Sequence, residues 1–273
     1  MNRQSVAELV CVRLAREVED GDLVVLGSFT PMAFAAYMLA KTTRAPSLYL
    51  IAYSALDVAP FALSLAGSEA GAMRRPAGRI EMVDVVHRIH QRGRGDVEAV
   101  SAPQMDAELR FNYSWIGRGK PRPVRLPGGA GAPEVVRHHR KLLAYFPRHR
   151  REVLTDEVEY VSASRRGRFG VEGGVTRVIT DLAVMTEAGG RLVVETLHPG
   201  VSREQVESAT GFELVWPATV PETAPPTETE LEGLRRVDPD ATIRLEFVAG
   251  AERQAVIDEL LAADLARAEA MLG

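Results

Sequence analysis

Cysteine is nearly absent: Cys11 is the only one in 273 residues. A single thiol excludes an intramolecular disulfide framework and a multi-cysteine metal site. It falls in the amphipathic helical run 5–17, where a buried apolar thiol is expected. Also missing is any apolar run of about 18 residues, the length a membrane-spanning helix needs. The N-terminus has no basic-then-apolar leader. A cytoplasmic protein without a membrane partner is the expectation. Charge of one sign is lacking too. The formal net charge is −4 with 26% charged residues, so bulk electrostatics give no reason to expect nucleic acid. No internal repeat is visible, which excludes a solenoid.

What the chain does have is apolar content and alternation. With 46% hydrophobic residues it can bury one large core or two modest ones. Short apolar strands alternate with helical stretches, which predicts an α/β fold: an open, mostly parallel sheet with flanking helices. A helix is expected over 5–19 and a buried strand over 23–26. The segment 31–41 is apolar nearly all round and opens on Pro31, so it reads as a core-packed helix. A second buried strand covers 48–53, and α/β sites gather at the C-terminal ends of such strands. Further along, 82–91 is helical, 97–100 a strand, a helix starts at Glu134, and 141–146 and 158–162 are strands. The Gly- and Arg-rich run 165–174, including 165–168, reads as an exposed loop. The proline-rich arm 217–229 has no core of its own. Apolar residues at Val256, Ile257, Leu260, Leu261, Leu265 and Met271 predict a C-terminal amphipathic helix, packed on this chain or on a partner. The expected organisation is one domain over 1–248 followed by a helix over 249–273.

Several segments do not reduce to periodicity. The most specific is Leu197-His198-Pro199-Gly200-Val201-Ser202, followed by Thr210-Gly211-Phe212 and the proline-broken run 221–227. Upstream, in order, stand a strand closed by Gly27 before Pro31, Ala45-Pro46-Ser47 leading into Leu48-Tyr49-Leu50, and Gln104-Met105-Asp106. Asn112 with Ser114 and Leu126-Pro127-Gly128-Gly129-Ala130-Gly131-Ala132 follow. This ordered set resembles the β subunits of class I coenzyme A transferases, most of all the glutaconate and 3-oxoadipate branch. The resemblance covers about 19–238. It implies an acyl-CoA substrate and an active site between this chain and a related α subunit, in an α2β2 assembly. Coenzyme A would enter as part of the substrate, with no cofactor bound permanently.

One departure falls at the catalytic centre. Transferases of the family end the second strand in Glu-Ser-Gly or Glu-Asn-Gly. That glutamate attacks the acyl-CoA carbonyl, giving an anhydride and then a glutamyl-CoA thioester. Here the strand ends Ala52-Tyr53-Ser54-Ala55, so Tyr53 stands at the glutamate position. A phenol with a reference pKa of about 10 is a poor substitute for a carboxylate, and no anhydride forms on it. A register shift of one residue gives Ala52 or Ser54, and the next acid downstream is Asp57. The resemblance therefore implies a branch that hydrolyses, cleaves a C–C bond or decarboxylates a CoA thioester. A true CoA transferase and a non-catalytic structural or regulatory subunit are the alternatives.

Candidate residues follow, each with its plainer reading. Tyr53 could hydrogen-bond an enolate, or simply fill space at the strand end. Ser54 could attack a carbonyl only with a base beside it, and the sequence names none. Gly128, Gly129, Ala130 and Gly131 could turn backbone N–H groups towards a thioester oxygen or CoA, or form an ordinary turn into a helix. They lack the lysine of a phosphate loop. Gln104, Asn112 and Ser114 could touch substrate or only fix loop backbone. No metal site is expected. His87 and His90 stand at i, i+3 on a helix but lack a third ligand motif, so they read as a solvent-facing pair. His138, His139 and His149 lie among Arg137, Arg140, Arg148, Arg150 and Arg151, a patch that could attract CoA phosphates but reads first as a solvated face. For His198 a turn-stabilising role is expected.

Overall fold

Met1–Met82 and Pro225–Gly273 fold together as one unit, and Val83–Ala224 as another. The computed structural model describes residues 3–27, 30–117, 119–166 and 174–272. In the first unit, α1 (Arg3–Ala15) leads to strand β1 (Leu23–Val25), helix α2 (Pro31–Thr43) and strand β2 (Tyr49–Ile51). β1 and β2 pair in parallel, Leu23 with Tyr49 and Val25 with Ile51, because a helix separates them and reverses the chain. Cys11 is buried, as expected.

Helix α2 has alanines, methionines, Phe34 and Tyr37 where a surface helix would carry charge, and Met32 to Ala40 are all buried. It packs against α1, the helix Glu228–Val237 and the 3-10 turn Thr242–Glu246. The closest approach is at Gly233, where an added Cβ would lie 2.8 Å from Leu39 Cδ1. Helix Glu228–Val237 starts in a capping box: Thr227 N donates to Glu230 Oε2 and Glu230 N to Thr227 Oγ1. The same Glu230 carboxylate takes both Arg16 Nε (2.8 Å) and Nη2 (2.7 Å), tying α1 to this helix. The expected C-terminal helix is Gly250–Leu272. Leu260 is buried on it while Leu261 and Leu265 are exposed, so its apolar residues do not share one buried face. No helix among the described residues is long and apolar enough to cross a membrane.

The second unit holds a five-stranded sheet of β3 (Val97–Val100), β4 (Lys141–Phe146), β5 (Val175–Thr180), β6 (Ala183–Ala188) and β7 (Arg191–Leu197), neighbours in that order. β3, β4 and β5 are parallel, with Lys141 opposite both Val97 and Val175. All six residues of β4 are buried, the near-continuous apolar run expected of a central parallel strand. The chain then turns back twice to make the antiparallel edge β5–β6–β7. Gly189 and Gly190, both at positive φ, close the β6–β7 hairpin. The expected α/β architecture, a mostly parallel sheet flanked by helices, is thus present.

Two local expectations fail, and a third holds with a change of winding. Residues 158–162 form no strand, because side chains take their backbone donors: Val158 N goes to Asp106 Oδ2 and Glu159 N to Gln104 Oε1. Pairing with the strand Arg110–Asn112 begins only at Ala163–Ser164. The segment 82–91 is helical but does not keep α winding: after Met82–Asp84, Val85–His90 is a π turn. Gln91 N bonds to Val86 O and Arg94 N to Ile89 O, five residues back. The run after Ser164 does not begin as an exposed loop. Arg165 is buried, with its guanidinium donating to the carbonyls of Val136 and His139 at 2.9 and 2.7 Å and to Thr176 Oγ1. Residues 167–173 of that run lie outside the described residues.

Candidate functional site

Two groups of residues have the character of a site, one in each unit. In the first unit, β2 runs out into a two-residue corner. Ala52 and Ala55 exchange both backbone hydrogen bonds, at 3.1 and 2.9 Å, leaving Tyr53 and Ser54 at the turn. Tyr53 adopts φ +56°, a left-handed conformation that costs a non-glycine residue roughly 1–2 kcal/mol. Backbone strain of this kind concentrates at functional positions. Its ring meets Phe34 edge-on at 6.1 Å, and Phe34 meets Phe61 in the same way at 5.6 Å. Burial, and after it the carboxylate of Glu69, raises the Tyr53 phenol above its ordinary value. It is therefore a hydrogen-bond donor at neutral pH. Ser54 Oγ bonds to no histidine or carboxylate among the described residues, so no base activates it. Asp57, the nearest downstream acid, is ion-paired with Lys41.

In the second unit, the glycine-rich segment sits on a rigid polar frame. Asn112 Nδ2 donates to Gln104 Oε1 at 2.7 Å, and Asn112 Oδ1 accepts from Ser114 N at 2.9 Å. Ser114 Oγ pairs with Ser162 Oγ, which also receives Tyr113 N. Gln104, Asn112 and Ser114 thus hold one loop against its neighbours. Asp106, fully buried, is ringed by donors from Glu108, Arg110 and Val158. Gly128 N donates to Tyr113 O (2.9 Å) and Ala132 N to Gly129 O (2.7 Å). Between them, the N–H groups of Gly129, Ala130 and Gly131 have no acceptor among the described residues. Gly128 at φ +98° and Ala130 at φ +45° shape this segment, and an added Cβ at Gly128 would meet nothing within 4 Å. Consecutive backbone N–H groups in a turn are the feature from which anion-binding concavities are built.

Beneath that segment lie residues that no contiguous pattern brings together. His90 Nδ1 is 2.9 Å from His139 Nε2. Glu98 Oε2 is 3.7 Å from His90 Nδ1 and 3.7 Å from His139 Nδ1. All three side chains are buried. The ring of His90 lies under Gly131, and Tyr113 lies beside Gly129. Glu98 Oε2, His139 Nδ1 and Tyr113 Oη are buried without a hydrogen-bond partner. Burial lowers His90 to about 4 and, with the neighbouring His90 and Arg165, lowers His139 to about 3. Burial also drives the Glu98 carboxyl well above the carboxylate range, and burial and then Glu98 raise the Tyr113 phenol.

The reading of His87 and His90 as a solvent-facing pair is thus corrected. His87 is exposed, and the π turn carries His90 inward. The solvated basic patch holds for Arg140, Arg148, Arg150 and Arg151, which are exposed, and is corrected for two of its histidines. His139 is buried against Glu98, and His149 is buried between Thr180 Oγ1 (3.0 Å) and Thr210 Oγ1 (2.9 Å). His198 is buried, with Nε2 donating to Thr180 O and Nδ1 accepting from Thr223 Oγ1, both at 2.8 Å, which anchors the run after β7. One signal of the hidden cluster was available: Glu98 is a carboxylate in the middle of a strand otherwise made of Val97, Ala99 and Val100.

No protein-family model matches the chain. It is 33% identical over 250 residues to one chain of the 3-oxoadipate CoA-transferase of Pseudomonas knackmussii, its B component, covering 87% of this chain and 95% of that one. It is 27% identical to the IpdB component of the cholesterol ring-cleaving hydrolase of Mycobacterium tuberculosis, over 87% of this chain and 96% of that one. Among solved structures, the decarboxylase AibA/AibB superposes with a TM-score of 0.78 at 28% identity, covering 87% of this chain and 96% of that one. Glutaconate coenzyme A-transferase from Acidaminococcus fermentans shares the fold, with a TM-score of 0.74 at 19% identity and coverage of 90% and 98%.

Proposed function

The chain belongs to the class I coenzyme A transferase family as a β subunit, and from that premise we propose that it acts on an acyl-CoA thioester without forming a glutamyl-CoA intermediate. The observation that carries this reading is Tyr53. By the resemblance, its corner after β2 corresponds to the place of the nucleophilic carboxylate in the family's transferases, and neither Ala52 nor Ser54 beside it is an acid. Asp57 is held by Lys41. A phenol kept protonated can donate to developing negative charge but cannot form an acyl anhydride.

The reactions that remain share one electronic demand. In thioester hydrolysis, C–C cleavage or decarboxylation, an electron pair moves onto the thioester oxygen and later returns. Donors fixed in advance lower that barrier. Tyr53 Oη is one such donor. The N–H groups of Gly129, Ala130 and Gly131 are suited to the same task on an oxyanion or on a CoA phosphate. In this reading an α-subunit partner completes the site and supplies any catalytic carboxylate, coenzyme A enters as part of the substrate, and no organic cofactor is held. The ring-cleaving hydrolase and the decarboxylase among the relatives are examples of such chemistry in this family.

The test is to co-express the chain with an α subunit and incubate the complex with a panel of acyl-CoAs, with and without acetate, under mass spectrometry. Loss of carbon dioxide or gain of water, independent of acetate, is the expected result. A second reading, true CoA transfer, draws on the 33% identity to a transferase component. Acetate-dependent exchange with a covalent CoA adduct on this chain would establish that reading and reject the first.

A further inference from the structure

We propose that His90, Glu98 and His139 form a buried binding site for a divalent transition-metal ion, with zinc the best match to the ligand set. Two imidazoles and one carboxylate are a common protein complement for zinc, leaving a further position for water or another ligand. One ligand atom from each residue can be chosen so that all lie within 4.8 Å of one another. The inference goes beyond the acyl-CoA reading and does not depend on it.

Four observations support it. First, the residues come from three separate segments, the π turn, β3 and the junction before β4, and converge on one point. Second, Glu98 has no lysine or arginine partner among the described residues, and its Oε2 is buried without a hydrogen bond. A buried carboxylate without a partner is costly unless it is neutralised or coordinates a metal. Third, His139 Nδ1 is likewise unpartnered, although buried polar atoms are nearly always bonded. A cation among these atoms removes both deficits at once. Fourth, the backbone has been cleared for the imidazole. A Cβ at Gly95 would lie 2.1 Å from His139 Cε1, so only glycine leaves room for the ring there.

Such an ion would fasten the π turn to the sheet directly under Gly131. Its role would be to position the glycine-rich segment, with no contact to substrate required.

The experiment uses the complex with its α subunit, stripped with a chelator and dialysed. Zinc content is measured by elemental mass spectrometry after reloading, and Co2+ is titrated in parallel while visible absorption is followed. About one equivalent per chain, with ligand-field bands for Co2+, is expected. Glu98→Gln and His139→Asn should each weaken binding at least about tenfold. His87→Asn, on the exposed neighbour, should leave it unchanged. Wild-type complex that takes up neither ion overturns the proposal, even if the variants fail to fold. Binding that survives both Glu98→Gln and His139→Asn unchanged overturns it as well.

Discussion

The corner at Tyr53 and the cluster at His90, Glu98 and His139 hold their polar groups in opposite ways. At Tyr53 one side chain ends a strand, its ring rests on Phe34, and the backbone strain lies in a single residue. Little else in the first unit depends on its hydroxyl. In the second unit three polar side chains are sunk among elements far apart in sequence, and Gly95 leaves the room that the ring of His139 needs. A local feature of the first kind can change chemistry without disturbing the fold. A feature of the second kind cannot be altered without affecting the structure around it.

Predictions from this contrast run from the largest effect to the smallest. Tyr53→Phe should lower turnover of the complex about 10²-fold, the usual loss for one oxyanion donor, while its thermal midpoint stays put. A large stability loss with unchanged turnover would reverse the contrast. His149 tests whether burial in the second unit couples to pH. Its folded pKa is lowered to about 4 by burial, while the unfolded chain takes up the proton near the ordinary value of 6.5. Its contribution is therefore full above about 6.5 and lost as pH falls towards about 4, by up to roughly 3 kcal/mol. His149→Gln should flatten the stability profile across that window, as read by denaturant titrations at several pH values. Gly95→Ala should cost about 2–3 kcal/mol, since the new methyl would overlap a buried ring that cannot move aside. The smallest effect belongs to the first unit. Arg16, followed by the capping hydrogen bonds of Thr227, lowers Glu230 to about 2. The stability it adds is present above the ordinary carboxyl value and lost as pH falls towards about 2. Because this pair is partly exposed, Arg16→Ala should cost under about 1 kcal/mol at neutral pH.

The same contrast explains what could be read from the sequence. The buried strand β4, the all-apolar helix α2 with its opening proline, and the strand running into Tyr53 are contiguous patterns, and each was legible. The ordered motifs that resemble class I coenzyme A transferases are contiguous too. What escaped was non-local. His90 and His139 are 49 positions apart, and only the fold brings them within 2.9 Å. Arg165 reads as part of an exposed basic run until the carbonyls of Val136 and His139 are seen to need its guanidinium. Residues 158–162 carry strand-like composition, yet Asp106 and Gln104 take the hydrogen bonds a ladder would have used.

The π turn at Val85–His90 makes the histidine cluster depend on counting as much as on chemistry. A π turn is an α turn carrying one residue too many, and each residue rotates a helix by about 100°. Wound as an ordinary α-helix, the same residues would accumulate more rotation over this turn and swing the imidazole of His90 off the buried face. Every histidine and the glutamate would still be present, and the cluster would be gone. Gain or loss of this constellation among related chains would then be written in the winding of one turn, where a substitution-by-substitution comparison would register nothing.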